Sequence, residues 1–155
     1  MRLVSFLLVS IMSIGLTRSA DAECWGDAAR AYGLDPMELG AIACVESSMN
    51  INAVSPVGAR GVMQVMPSHA ARFGLDPALL FDACTNIYMG AYVLAEMKAK
   101  YGDTWEAVGA YNAACTKLKG HACRKARSDY AWAVYRARLN LERTGKCSGP
   151  RDEFH

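Results

Sequence analysis

The stretch Asp35-Pro36-Met37-Glu38-Leu39-Gly40-Ala41-Ile42-Ala43-Cys44-Val45-Glu46-Ser47-Ser48-Met49 decides the fold. It opens with a capping acid and places proline at the first helical position, where a missing N–H costs nothing. A Glu at the third position completes a strong helix start. Leu39, Ile42, Ala43, Glu46 and Met49 then recur at three- and four-residue spacing, the period of one helix face. Similar punctuation appears further along the chain in Asp103-Thr104-Trp105-Glu106 and, more weakly, in Asp76-Pro77, while Gly33, Gly74, Gly102 and Gly145 stand where helices should stop. The spacing predicts helices near 24–32, 35–49, 61–73, 84–101, 104–114 and 126–143, with loops at 50–60 and 115–125. No stretch sustains the period-2 alternation of a strand. The expected fold class is all-α, with at most a very short β pairing near 50–60.

The chain has 155 residues, 52% apolar and 21% charged, a balance that excludes a disordered charged tail or a fibrous repeat. Arg2 precedes an apolar run from Leu3 to Leu16, and Ala20-Asp21-Ala22 follows as a small-x-small cleavage site. That pattern reads as a secretory signal peptide over 1–22. The run is interrupted by Ser5, Ser10, Ser13 and Gly15 and is shorter than the roughly 20 apolar residues of a membrane span, so no membrane span is expected after cleavage. One domain is read over 23–145, with a short tail at 146–155.

Cys24, Cys44, Cys84, Cys115, Cys123 and Cys147 all lie beyond the cleavage site, and an even cysteine count in an exported domain argues for disulfides in an oxidising compartment. Fifteen pairings are open to six cysteines. Cys115 with Cys123 is the expected local pair, Cys44 with Cys84 the expected tie between two helices, and Cys24 with Cys147 the expected tie between chain ends. Zinc on Cys115, His121 and Cys123 is the rival reading, but a fourth ligand at finger-like spacing is missing, so no metal and no cofactor are expected.

Charge is uneven behind the net +2. Residues 23–115 carry five Lys or Arg against ten Asp or Glu, and residues 116–146 carry nine against two. A basic final third suits an anionic polymer or partner, or is a solvated helix face. No base-stacking aromatic pattern accompanies it, so nucleic acid is not expected as a partner.

Glu46 is the anomaly in the deciding stretch. A carboxylate on an apolar stripe loses hydration, and at the end of a helix it also meets the negative end of the dipole, so its pKa should rise. A Glu kept protonated near neutrality suits a general acid. The bland alternative is a rim Glu that reaches water or an arginine. From Ser47 to Leu75 no further carboxylate occurs, whereas an ordinary hydrolytic glycosidase needs two. Asp82, Asp103 or Glu106 could still be brought near by folding.

Three blocks in order, Glu46-Ser47-Ser48-Met49-Asn50 with Asn52 and Ser55, Gly58-Ala59-Arg60-Gly61-Val62-Met63-Gln64-Val65-Met66-Pro67, and Ala110-Tyr111-Asn112-Ala113, resemble the catalytic domain of soluble-type lytic transglycosylases. Size and cysteines look most like the small exported members of secretion systems and pili. The resemblance implies an α-rich lysozyme-like fold and non-hydrolytic cleavage of the β-1,4 MurNAc-GlcNAc bond of peptidoglycan, leaving a 1,6-anhydro sugar. It implies Glu46 as the single catalytic acid. Ser47 would bond near the acid or the acetamido group, and Gln64 with the Met63 backbone would line the groove. Ser55 belongs to the matched block, and Gly61 would let the backbone approach the glycan. Tyr111 would place its hydroxyl close to Glu46, Asn112 would hold the sugar or its loop, and Tyr130 would be a late groove tyrosine. Where the family runs from its tyrosine motif into glycine, this chain has Ala114-Cys115.

The resemblance further implies a monomer, exported to the periplasm, that acts on peptidoglycan glycan strands for a type III or type IV secretion or pilus machine. A lysozyme-type hydrolase and a glycan-binding assembly factor with little catalysis are the alternatives.

Overall fold

Asp35 accepts a 2.8 Å hydrogen bond from the Met37 backbone N–H, and this cap starts a helix that becomes the axis of the domain. The computed structural model describes residues 20–113, 115 and 118–147. It contains α1 (Ala20–Tyr32), α2 (Pro36–Ser47), α3 (Pro67–Arg72), a 3-10 turn (Pro77–Phe81), α4 (Ala83–Tyr101), α5 (Trp105–Asn112) and α6 (Gly120–Thr144). No strand longer than an isolated bridge occurs among the described residues. The expected leader and tail lie largely outside them.

Helix α2 is buried beyond the one apolar face its spacing suggested. Every residue from Glu38 to Cys44 is buried, because α1 and α6 pack along it and α4 also meets it. The one charge in that run, Glu38, is held by Lys98 of α4 at 2.6 Å. A helix surrounded in this way reads as apolar all round, and its polar end marks where it emerges. It emerges at Glu46. Ser48 and Met49 both take left-handed backbone conformations (φ 53° and 65°), so the helix stops after Ser47 and not at 49.

The expected helix over 61–73 is only Pro67–Arg72. Residues 60–66 instead form a bridged loop in which Arg60 and Val65 exchange two 2.9 Å backbone bonds and Arg60 also pairs with Val54. The short β pairing thus extends beyond the 50–60 loop. Asn86, fully buried on α4, holds it in place. Its side-chain N–H groups donate to the carbonyls of Arg60 and Leu80, and its oxygen accepts from the Met63 N–H at 2.7 Å. Gly61 (φ 76°) lies against the Asn86 amide and the Leu80 carbonyl, where a Cβ would collide with both.

Helix α6 starts at Gly120, six residues ahead of the expected 126, and its first turn contains Cys123, which is bonded to Cys115. That local bridge is the expected one, and it occupies both thiols that the zinc reading required. The other two pairings differ from expectation. Cys24 joins Cys84, and Cys44 joins Cys147, with Cα separations of 5.5 and 5.4 Å. The cause is packing: α1 lies along α4, which brings Cys24 to the start of α4, while α2 lies along α6, which brings Cys44 to the residues just beyond α6. Closing loops of 60 and 103 residues, each bridge should contribute about 4 kcal/mol by restricting the unfolded chain.

Candidate active site

Three elements meet where α2 emerges. Glu46 comes from its last turn, Tyr130 from α6 and Asn112 from the end of α5. Tyr130 donates its phenol hydrogen to Glu46 Oε1 at 2.6 Å, and the Asn112 side chain bonds the same carboxyl group. Burial raises the Glu46 pKa above its ordinary value, and these two bonds pull it part of the way back. Among the described residues no cation and no second carboxylate contributes to that balance. Tyr130 and Tyr111 are both pushed well above the usual phenol range, chiefly by burial and then by the charge on Glu46, so both stay protonated.

The remaining candidates build the wall beside the acid. Ser47 does not bond the carboxyl group; its hydroxyl donates to the Val62 carbonyl at 2.7 Å and ties the end of α2 to the bridged loop. Tyr111 likewise does not bond Glu46. Its hydroxyl donates to the Met63 carbonyl at 2.8 Å and feels the Glu46 charge without bonding it, and the hydroxyl that bonds the acid belongs to Tyr130. The physical reason is helix placement: α6 packs directly on α2, while α5 reaches the loop through Met63.

Gln64 sits at φ 50° and its amide donates to the carbonyls of Ala53 and Gly61, so this side chain braces the loop. Met63 is fully buried, and its backbone is used by Asn86 and Tyr111. The Ser55 hydroxyl accepts from the Ala59 N–H at 3.0 Å and closes the 55–59 turn. Gly61 is buried beneath, donating to Ala53. Glu46, Tyr130 and Asn112 are therefore in direct contact, and Ser47, Ser55, Gly61, Met63, Gln64 and Tyr111 support the loop around them. Asn86 escaped sequence reasoning. Its signal was available, since it is a polar residue adjoining the apolar run Ile87, Gly90, Ala91 and Leu94 at helical spacing.

A half-buried carboxyl group with a raised pKa and a phenol bonded to one oxygen can give up a proton and then hold the charge that remains. Such a site serves cleavage of a bond whose leaving oxygen must be protonated. The chain matches the Transglycosylase SLT domain over residues 23–132, and it belongs to this family of lytic transglycosylases. It is 43% identical over 139 residues to the X polypeptide of Escherichia coli, covering 84% of this chain and 80% of that one. It is 34% identical over 139 residues to invasion protein IagB of Salmonella typhimurium (84% and 86% covered) and 33% identical over 158 residues to protein IpgF of Shigella flexneri (97% and 98%).

Among solved structures, an inactive mutant of lytic transglycosylase Slt from Pseudomonas aeruginosa matches with a TM-score of 0.63 at 24% identity, covering 86% of this chain. The 70 kDa soluble lytic transglycosylase of Escherichia coli matches with a TM-score of 0.61 at 24% identity, covering 79%. This chain spans about a quarter of the length of those two proteins, and the likeness shows the α-rich lysozyme-like fold.

Proposed function

We propose that Glu46 is the single acid and base of a peptidoglycan lytic transglycosylase that cleaves the β-1,4 MurNAc-GlcNAc bond. The observation that carries this reading is the Glu46 carboxyl group itself. Burial raises its pKa, the Tyr130 hydroxyl and the Asn112 side chain bond it, and among the described residues no other carboxylate shapes its titration.

Protonated Glu46 gives its hydrogen to the glycosidic oxygen, and the C1–O bond breaks. Glu46 is then a carboxylate, held by the Tyr130 hydroxyl. It takes the proton from the muramyl C6 hydroxyl as that oxygen bonds C1, closing the 1,6-anhydro ring. The internal hydroxyl takes the place of water, so a second carboxylate to activate water is not required. Asn112, bonded to the acid and exposed on its other side, is placed to meet the sugar.

Export through residues 1–22 to the periplasm fits this substrate, as does disulfide pairing of all six cysteines. Service to an envelope-spanning secretion or pilus machine fits the small domain and the relative named as an invasion protein. Mass spectrometry of sacculi digested by the purified protein tests the chemistry. Anhydromuropeptides, one water lighter than hydrolytic products, are expected, and mainly reducing-end products would overturn the reading.

A further inference from the structure

On the side of α6 that faces away from Glu46, the protein exposes an aromatic depression of about 310 Å³ between α5 and α6. Trp105 opens α5 and stands edge-on to Tyr135 of α6, with ring centroids 5.5 Å apart and planes at 89°. Trp132 stands edge-on to the same Tyr135 at 5.6 Å and 86°. Trp132 is 58% exposed and Trp105 44%, whereas Tyr130, two positions from Trp132 on the same helix, is 9% exposed and turned inward to the acid. One turn of α6 thus carries an active-site hydroxyl on one side and an open aromatic wall on the other.

Three large rings left in water at one spot are unusual on a surface with no partner. Here the rings also brace one another through tertiary packing, which fixes their planes before anything binds. Glu106 and Ser128 bring a carboxylate and a hydroxyl to the depression. An apolar floor with a few polar groups at its edge suits a pyranose ring, whose axial C–H groups lie on an aromatic face while its hydroxyls reach outward.

Charge selects among such ligands. The Glu106 carboxylate is matched by Arg127. Arg124 and Arg136 are exposed one turn to either side of the Ser128–Trp132 pair and meet no carboxylate among the described residues. A glycan that carries carboxylates complements this face.

We infer that the Trp105, Trp132 and Tyr135 depression is a second, non-catalytic binding site for an anionic glycan strand of the polymer that the enzyme cuts. This rests on the peptidoglycan reading of the Glu46 site. Because the two surfaces lie on opposite sides of α6, a strand on the aromatic face is not the strand being cleaved. The protein would hold one strand while working on its neighbour.

The test uses the full chain carrying Glu46→Gln, so that sacculi stay intact, and measures how much protein sediments with purified sacculi. Trp132→Ala on that background should weaken sedimentation about tenfold, the loss of one stacked ring. Arg124→Ala with Arg136→Ala, a surface change that leaves the fold alone, should weaken it further and remove its sensitivity to salt. With Glu46 intact, Trp132→Ala should release anhydro product from a short soluble MurNAc-GlcNAc oligosaccharide at the wild-type rate. Unaltered sedimentation of both variants would overturn the inference and leave the face to some other partner. Loss of turnover on the short oligosaccharide would overturn it as well, by placing Trp132 in the catalytic site or the core. Failure of the transglycosylase reading shows separately, as a wild-type chain that makes no anhydro product while the sedimentation comparison still stands.

Discussion

Tyr130 and Glu46 lie 84 positions apart in sequence, yet the tyrosine hydroxyl donates to Glu46 Oε1 across 2.6 Å. The bond joins the end of the central helix to the inner side of the last one. It favours the charged form of the acid and so acts against burial, which favours the neutral form.

Tyr130→Phe removes that opposing bond. The Glu46 pKa should rise further, and the alkaline limb of the pH–rate profile, where the acid loses its proton, should move to higher pH. Turnover at the optimum should fall about tenfold or more, because the carboxylate formed after proton transfer loses its donor. An unmoved alkaline limb would separate Tyr130 from the titration of the acid.

Glu46→Gln should cost at least about a hundredfold in turnover, since the amide fits the same space but cannot donate the required proton. The same change should stabilise the fold at pH 7. A carboxyl group whose pKa is raised on folding binds more protons folded than unfolded, so it is destabilising at pH values above its folded pKa. That cost disappears as pH falls toward the ordinary value of 4.5. Melting curves of both proteins at pH 7 and pH 4 check this: the variant should melt higher at pH 7, and the gap should close in acid.

Tyr111→Phe affects a different bond, the one to the Met63 carbonyl. It should lower stability by about 1 kcal/mol, with a smaller loss of turnover than Tyr130→Phe on the same preparation. A larger catalytic loss from Tyr111→Phe would reverse the order of the two tyrosines.

Asn86→Ala leaves the Met63 N–H and the Arg60 and Leu80 carbonyls without their shared partner. The expected cost is about 3 kcal/mol, measured by chemical denaturation, because the Met63 N–H and the Leu80 carbonyl lose their partner while the Arg60 carbonyl keeps only the Val65 N–H. The loop should also become more open to protease between residues 53 and 66. Wild-type stability would show that other contacts hold the bridged loop.

Replacing both Cys44 and Cys147 by serine should lower the melting temperature, and non-reducing peptide mapping of the wild type should link these two residues and link Cys24 to Cys84. A peptide linking Cys44 to Cys84 would contradict the observed packing.

Sequence reasoning reached the helical class because capping residues act locally: Asp35, Asp76 and Thr104 each cap the element that follows them, as does Asp82, which the sequence expectations do not include as a cap. It overextended α2 and α3 where backbone geometry overrides spacing, at the left-handed Ser48 and Met49 and at the Arg60–Val65 bridge. Glu46 was legible as a carboxylate out of place. Its partner was not, because choosing between Tyr111 and Tyr130 depends on which helix lies against α2. Two of the three disulfide pairings failed for the same reason, since Cys44 lies on α2, which packs along α6, and Cys24 on α1, which packs along α4; the local Cys115–Cys123 pair needed no such knowledge.

The Cys44–Cys147 bridge gives the site an order in time. Cys44 lies two positions before the acid, and Cys147 lies beyond the helix that carries Tyr130. A ribosome makes the acid early, its hydroxyl donor much later and the second half of the staple later still. Until position 147 has left the ribosome and met an oxidant, the two helices that carry the acid and its donor have no covalent bridge between them. Among reducing thiols that bridge would stay open, and only non-covalent packing, the Tyr130–Glu46 hydrogen bond included, would join the two helices.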